Sequence, residues 1–117
     1  MEQEALMYLI AARVTFMNET MKKSVNTYMA QEVDKSEEIY VNFRAQLSEN
    51  VSLVVNLFES EDMANKWREG QMNPKMKDIK QMGAKVEFFE GPISHFNFAG
   101  HTTLDMLSKG IDAGPKR

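Results

Sequence analysis

A chain of 117 residues makes one domain, large enough to bury roughly 65% of its unfolded surface in a single core. Its net charge of -3 offers no basic footprint for nucleic acid or an anionic membrane, and the absence of cysteine excludes disulfides, a thiolate nucleophile and cysteine-bound zinc. Glu2, Gln3 and Glu4 precede a short apolar run, the wrong sign for a secretory leader and about half a membrane span, so a cytoplasmic location is expected.

In chain order, Leu6 to Phe16 alternates as a first strand, with Leu6, Tyr8, Ile10, Ala12, Val14 and Phe16 on one face. Met7, Leu9, Ala11, Arg13 and Thr15 make the other. Asn18 caps a helix whose Met21, Val25, Tyr28, Met29 and Val33 recur at helical spacing. A polar connector, Asp34 to Glu38, leads to a second strand from Ile39 to Leu47. Ser48, Glu49 and Asn50 form a three-residue turn into a third strand, Val51 to Phe58. That turn sets Tyr40 opposite Phe58, Asn42 opposite Asn56 and Arg44 opposite Val54, and a slip by one would bury Arg44 and expose Phe43.

Ser60 is placed to cap a second helix, with Glu61 and Asp62 against its positive end and Met63, Ala64 and Trp67 on one face. Gly70 is expected to end it, and Asn73 with Pro74 to start a short third helix carrying Met76, Ile79 and Met82. Gly83 stops that helix. Lys85 to Glu90 reads as a fourth strand with Val86 and Phe88 on one side, broken or edged by Gly91 and Pro92. Ile93 to Phe98 is expected as an arm, Thr102 and Asp105 as the start of a last helical turn around Leu104, Leu107 and Ile111, and Gly114 to Arg117 as a frayed end.

The order β-α-β, β-α-(α)-β is the ferredoxin-like split βαβ arrangement: an α+β fold with a four-stranded antiparallel sheet and helices on one face. Residues 1–96 form this domain and 97–117 a C-terminal extension. If the most aliphatic faces lie under the helices, the other face presents Met7, Leu9, Ala11, Arg13, Tyr40, Asn42, Arg44, Val54, Asn56 and Phe58. Such a face is too apolar for water, and two copies packed across a two-fold axis would form a barrel.

LIAARVTF, VVNLFESEDMANKW, NPKMKDIKQM and KVEFFEGPISHF together resemble the dimeric α+β barrel proteins, and among them the antibiotic biosynthesis monooxygenase-like group. The resemblance spans Leu6 to about Phe96 and implies a homodimer with a small-molecule cavity between sheet and helices or within the barrel. It implies activities ranging from cofactor-independent oxygenation of phenols to haem degradation. The haem branch fits badly, because the first strand brings Met7, Leu9, Ala11 and Arg13 where those relatives use Asn, and no His lies between Ser60 and Met82. The phenol-oxygenase branch uses Trp, Tyr, Asn and Arg, types supplied here by Trp67, Tyr40, Asn42, Asn56 and Arg44.

Each of these residues also has a plainer reading. Trp67 at helical spacing from Met63 packs as core, and Arg13 and Arg44 each require an anion, either a cross-dimer carboxylate or a ligand's acid group. His95 and His101 would need Glu87 or Glu90 to hold a metal, so no metal and no cofactor are expected. The expected ligand is a small apolar or amphipathic molecule, acidic or aromatic, held in the barrel. Its body would lie on Met7, Leu9, Val54 and Phe58 and its head near Tyr40, Asn42 or an arginine. Tyr40 and His95 are the proton-transfer candidates if the protein is a cofactor-independent monooxygenase. In a third reading, side chains fill the barrel and the protein is a non-catalytic interaction partner.

Overall fold

A computed structural model describes residues 6–33, 36–97, 99–103 and 105–106. The elements run β1 (Tyr8–Thr15), α1 (Glu19–Glu32), β2 (Ile39–Ser48), β3 (Val51–Phe58), α2 (Glu61–Trp67), a π turn (Arg68–Met72), α3 (Asn73–Gln81) and β4 (Lys85–Pro92). The sheet order is β2-β3-β1-β4 with every neighbouring pair antiparallel, which is the ferredoxin-like α+β fold. Both helix starts follow from short polar side chains on extended backbone: Asn18 Oδ1 accepts from the Met21 amide at 2.8 Å, and Ser60 Oγ from the Met63 amide at 3.3 Å.

The core lies between one sheet face and the helices. Tyr8, Ile10, Phe58, Ala64, Trp67, Met72 and Val33 form one cluster, and Val14, Phe16, Val25, Met29, Val54, Ile79 and Ala84 a second. The β1–β3 register, with Tyr8 opposite Phe58, Ile10 opposite Asn56 and Ala12 opposite Val54, puts the even-numbered residues of both strands under the helices. This reverses the expected faces of β2 and β3. Asn42 and Arg44 pair with Asn56 and Val54 as expected, but on the covered side, while Val51, Leu53, Val55 and Leu57 face away from the helices. Phe43 is therefore exposed and Arg44 half-buried without any slip of register. Aliphatic content misleads here because both sides of β3 are covered in some way. The deciding contact is Phe58, the last residue of β3, whose ring lies 5.3 Å from that of Trp67 on the helix that starts three residues later.

Three further departures are local. The hairpin register is interrupted between Ile39 and Val41 and between Gln46 and Ser48, so the turn shortens to Glu49–Asn50 and Ile39, rather than Tyr40, stands opposite Phe58. Gly70 does not end α2: the chain continues through the π turn, where the Asn73 amide bonds the Arg68 carbonyl, straight into α3. Asn73 is helical rather than a cap. Pro74 has no amide to donate to the Gly70 carbonyl and crowds it, and a widened turn just upstream accommodates that ring. Near the end, Thr103 rather than Thr102 caps, its Oγ1 accepting from the Met106 amide at 3.1 Å. Phe98, Leu104, Leu107, Ile111 and Gly114 to Arg117 lie outside the described residues, as do Glu2 to Glu4, Asp34 and Lys35.

Gly83 ends α3 with φ 98°, a backbone that a side chain resists, and a Cβ there would meet Met21 Cε at 2.8 Å. Gly83→Ala should therefore destabilise the fold by about 1–2 kcal/mol, mostly through the left-handed backbone because the Met21 terminus can move, read as a lower urea midpoint. Polar contacts also tie α1 to α3: Tyr28 Oη donates to Asp78 Oδ2 at 2.7 Å, and Lys75 Nζ reaches Glu32 Oε1 at 3.2 Å. The Asp78 hydrogen bond, aided by burial and then by the charges of Asp78 and Glu32, raises the Tyr28 pKa to about 12. Because the folded value lies above the unfolded one, this contribution is complete below about pH 10 and is lost as pH rises towards 12. Tyr28→Phe should remove that alkaline loss, seen by comparing unfolding free energies of the two proteins below and above about pH 10.

Candidate functional site

The sheet separates the residues singled out from sequence into two groups. Asn42, Arg44, Val54, Asn56, Phe58 and Trp67 come together on the helix side, and Met7, Leu9 and Arg13 lie on the other. On the helix side, an internal cavity of ≈ 30 Å³ is walled by Met29, Met72, Met76, Trp67, Phe88 and Ile79, among others, and bordered by Asn56. That volume is the size of one or two water molecules. Asn56 is 4% exposed, and its Oδ1 accepts from Asn42 Nδ2 at 2.6 Å, so a buried amide is fixed at the wall of an otherwise apolar space. Arg44 follows Asn42 on the same side, its Nε shut off from solvent. Trp67 is buried and oriented by a hydrogen bond from Nε1 to Ser36 Oγ at 3.1 Å, the hydroxyl in turn donating to the Val33 carbonyl at 2.9 Å.

A polar cluster missed in the sequence reading adjoins this cavity. Tyr8 Oη donates to Glu90 Oε1 at 2.9 Å, the Arg68 guanidinium bonds the same oxygen, and Arg68 Nη1 donates to Asn65 Oδ1 at 2.5 Å. Glu90 is the register partner of Ile10 and lies two residues from Phe88 along β4, Tyr8 lies two residues from Ile10 along β1, and Arg68 follows Trp67, so the cluster borders residues that wall the cavity. The hydrogen bond to Glu90 is the main cause of a raised Tyr8 pKa, followed by burial and the charges of Glu90 and Glu61, with Arg68 opposing. Alternation pointed to it: Glu90 shares its face with Val86 and Phe88, and a carboxylate on a helix-covered face implies a cation above it.

On the uncovered side, Ala11, Val55 and Leu57 are buried against Met7, Leu9, Leu53 and Ile93, while Val41, Phe43, Leu47 and Phe89 remain exposed. Arg13 and Glu87 are register partners on β1 and β4, and Arg13 Nε donates to Glu87 Oε1 at 3.1 Å. The anion for Arg13 thus comes from the same subunit. This pair edges a solvent-open concavity of ≈ 800 Å³ also lined by Thr15, Leu47, Val51 and Lys85. Tyr40 is exposed beside the β2 irregularity and His95 is exposed beyond β4, so neither lines the internal cavity. Among the described residues no group of three or more His, Asp or Glu is placed to hold a metal, and no helix is long and apolar enough to cross a membrane.

No protein-family model and no curated protein sequence matches the chain. Solved structures do match. SnoaB, a cofactor-independent oxygenase from Streptomyces nogalater, superposes with a TM-score of 0.58 at 13% identity over 86% of this chain and 98% of its own. A dimeric ferredoxin-like protein from an uncultured marine organism gives 0.62 at 11% identity over 80% and 99%. A dabb family protein with a ferredoxin-like fold from Mesorhizobium loti gives 0.54 at 10% identity over 77% and 99%. These likenesses are in fold: the subunit shares the ferredoxin-like α+β fold of these structures.

The surroundings of Trp67 separate its packing from its hydrogen bond. Trp67→Phe should cost about 1 kcal/mol for the lost bond to Ser36, together with a smaller packing loss, whereas Trp67→Ala should cost about 3–5 kcal/mol. Urea unfolding of the two variants against the parent measures the difference.

Proposed function

We propose that this chain, with the subunit fold of the dimeric α+β barrel proteins, is a homodimer. Each subunit takes up a small apolar or aromatic molecule with a polar end between its sheet and helices. The observation that carries this reading is the internal cavity, where Met29, Met72 and Met76 converge with Trp67 and Phe88 around the single fixed amide of Asn56. Apolar walls with one or two oriented polar groups are the usual make-up of a ligand site. Unbranched methionines re-pack at low cost, so a guest larger than the resting ≈ 30 Å³ enters as they move. Homodimerisation is supported by the uncovered sheet face, where Val41, Phe43, Leu47 and Phe89 lie 43 to 55% exposed around a buried aliphatic centre.

A second reading, a cofactor-independent oxygenase, draws on the same cavity and on the likeness in fold to SnoaB. The Asn56 amide is the group that would hold a phenolate oxygen among dry walls, and the substrate itself would supply the electrons to dioxygen. An oxygen electrode with a hydroquinone panel separates the two readings: uptake that disappears in Asn56→Leu favours the oxygenase, and binding without uptake favours the carrier.

Two measurements test the main reading. Phe43→Lys should shift the protein from dimer to monomer in sedimentation velocity by setting two charges against each other across the joined faces. Native mass spectrometry of the purified dimer should find an organic guest, and Met76→Trp, which fills the cavity, should reduce its occupancy at least about tenfold, equivalent to about 1.4 kcal/mol. A parent protein that sediments as a monomer, or a guest retained unchanged in Met76→Trp, would sink it.

A further inference from the structure

We infer that Arg68 and Tyr8 form the receptor for a carboxylate on the cavity's guest, and that Glu90 fills this receptor while it is empty. This rests on the cavity being the binding site and specifies the class of its ligand as an acid. Both donors converge on one oxygen, Oε1 of Glu90, which is the arrangement a guest carboxylate would need.

The donors are held independently of the acid they bind. Tyr8 is 8% exposed and packed with Ile10, Phe58 and Trp67, and Arg68 is anchored by Asn65 Oδ1 at 2.5 Å. Glu90 differs. It sits on the edge strand β4 with its side chain 39% exposed against 26% for Arg68, so rotation about its own bonds returns its carboxylate to water and leaves both donors in place. The exchange conserves charge, one carboxylate leaving the guanidinium as another arrives.

The surrounding chain is suited to such an exchange. Arg68 opens the π turn, a kind of irregularity found often at functional sites, and Met72 at its other end is a cavity wall. Ile10, Trp67 and Phe88 separate receptor from cavity by no more than a neighbouring side chain along each element. An aromatic or aliphatic body lying among the methionines would therefore present its acid end to Arg68 and Tyr8. Glu61 adds negative potential near Tyr8, so the guest must bring its charge to the guanidinium rather than to the phenol alone.

The test compares hydrocinnamate with hydrocinnamyl alcohol, an acid and an uncharged analogue of nearly the same shape, by isothermal titration on the parent dimer and variants. Glu90→Gln retains the side-chain shape but removes the competing charge, and should tighten hydrocinnamate about tenfold while leaving the alcohol within about twofold. Arg68→Gln in the Glu90→Gln background should cancel that gain, and Tyr8→Phe should diminish it. Thermal unfolding of each variant checks that its fold persists, and Tyr8→Phe, which removes only an oxygen, provides an independent reading if Arg68→Gln is damaged. An acid preference unchanged by Glu90→Gln, equal gains for acid and alcohol, or a gain that survives both donor substitutions would overturn the inference while leaving the cavity as a binding site. Failure of either compound to bind any of the proteins would overturn both.

Discussion

The structure depends on the register between β1 and β3, the two central strands. Tyr8 opposite Phe58 places Phe58 at 0% exposure beneath Trp67, and every second residue back along β3 follows it under the helices. A strand has a period of two, so one such placement decides the side of all its residues. Asn56 becomes a buried amide beside the methionines, and Leu53, Val55 and Leu57 are turned to the uncovered face. Had β3 been shifted by one, Asn56 would lie on the open face and β3 would turn only aliphatic side chains towards the helices.

Much of this was legible from residue pattern, and what was not has a physical cause. Asn18 and Ser60 announced the two helix starts because a short polar side chain before an apolar period has few other uses, and Gly83 announced the end of α3 because its backbone takes a left-handed turn. The pairing of Asn42 with Asn56 and Arg44 with Val54 followed from alternation together with the expected turn, and it holds although a bulge shortens that turn. The face of that pairing did not follow, because alternation tells which residues lie together and not which layer they meet. Ranking faces by aliphatic content assumed that the helices cover the greasier one. Phe58 contradicts that ranking, since the last strand residue before a tight connection must meet the helix that follows. The π turn was hidden for a different reason: Gly70 and Pro74 each suggest a break, yet together they permit a widened helix that no single-residue propensity describes.

The two sides of the sheet have correspondingly different chemistry. Beneath the helices lie Ser52 and Asn56, both nearly inaccessible, together with Asn42, Arg44 and the Tyr8–Glu90–Arg68 cluster. Polar groups there need oriented partners, which limits how the core can rearrange, while the methionines between them supply the freedom that remains. The uncovered face has few such requirements. Its aliphatic and aromatic residues are suited to a broad non-directional contact, and its one described ion pair, Arg13–Glu87, is satisfied within the subunit near the sheet edge.

The sheet's edges disfavour association by strand addition, which leaves the open face as the surface for the proposed dimer. An edge strand offers unpaired backbone groups to any extended chain, and proteins suppress this with charges, proline and irregularities. β4 carries Lys85, Glu87, Glu90 and Pro92, with Glu87 tied to Arg13 on one side of the sheet and Glu90 to Arg68 on the other. β2, the opposite edge, is interrupted near both ends and places Asn42 and Arg44 along its middle. A second copy approaching either edge would meet charged side chains and broken register, whereas one approaching the open face meets Val41, Phe43, Leu47 and Phe89. Glu90, one of the residues that obstruct the β4 edge, also neighbours the cavity walls Ile10 and Phe88, so a change that frees it would act on the helix-covered face of β4, opposite the face that carries Phe89.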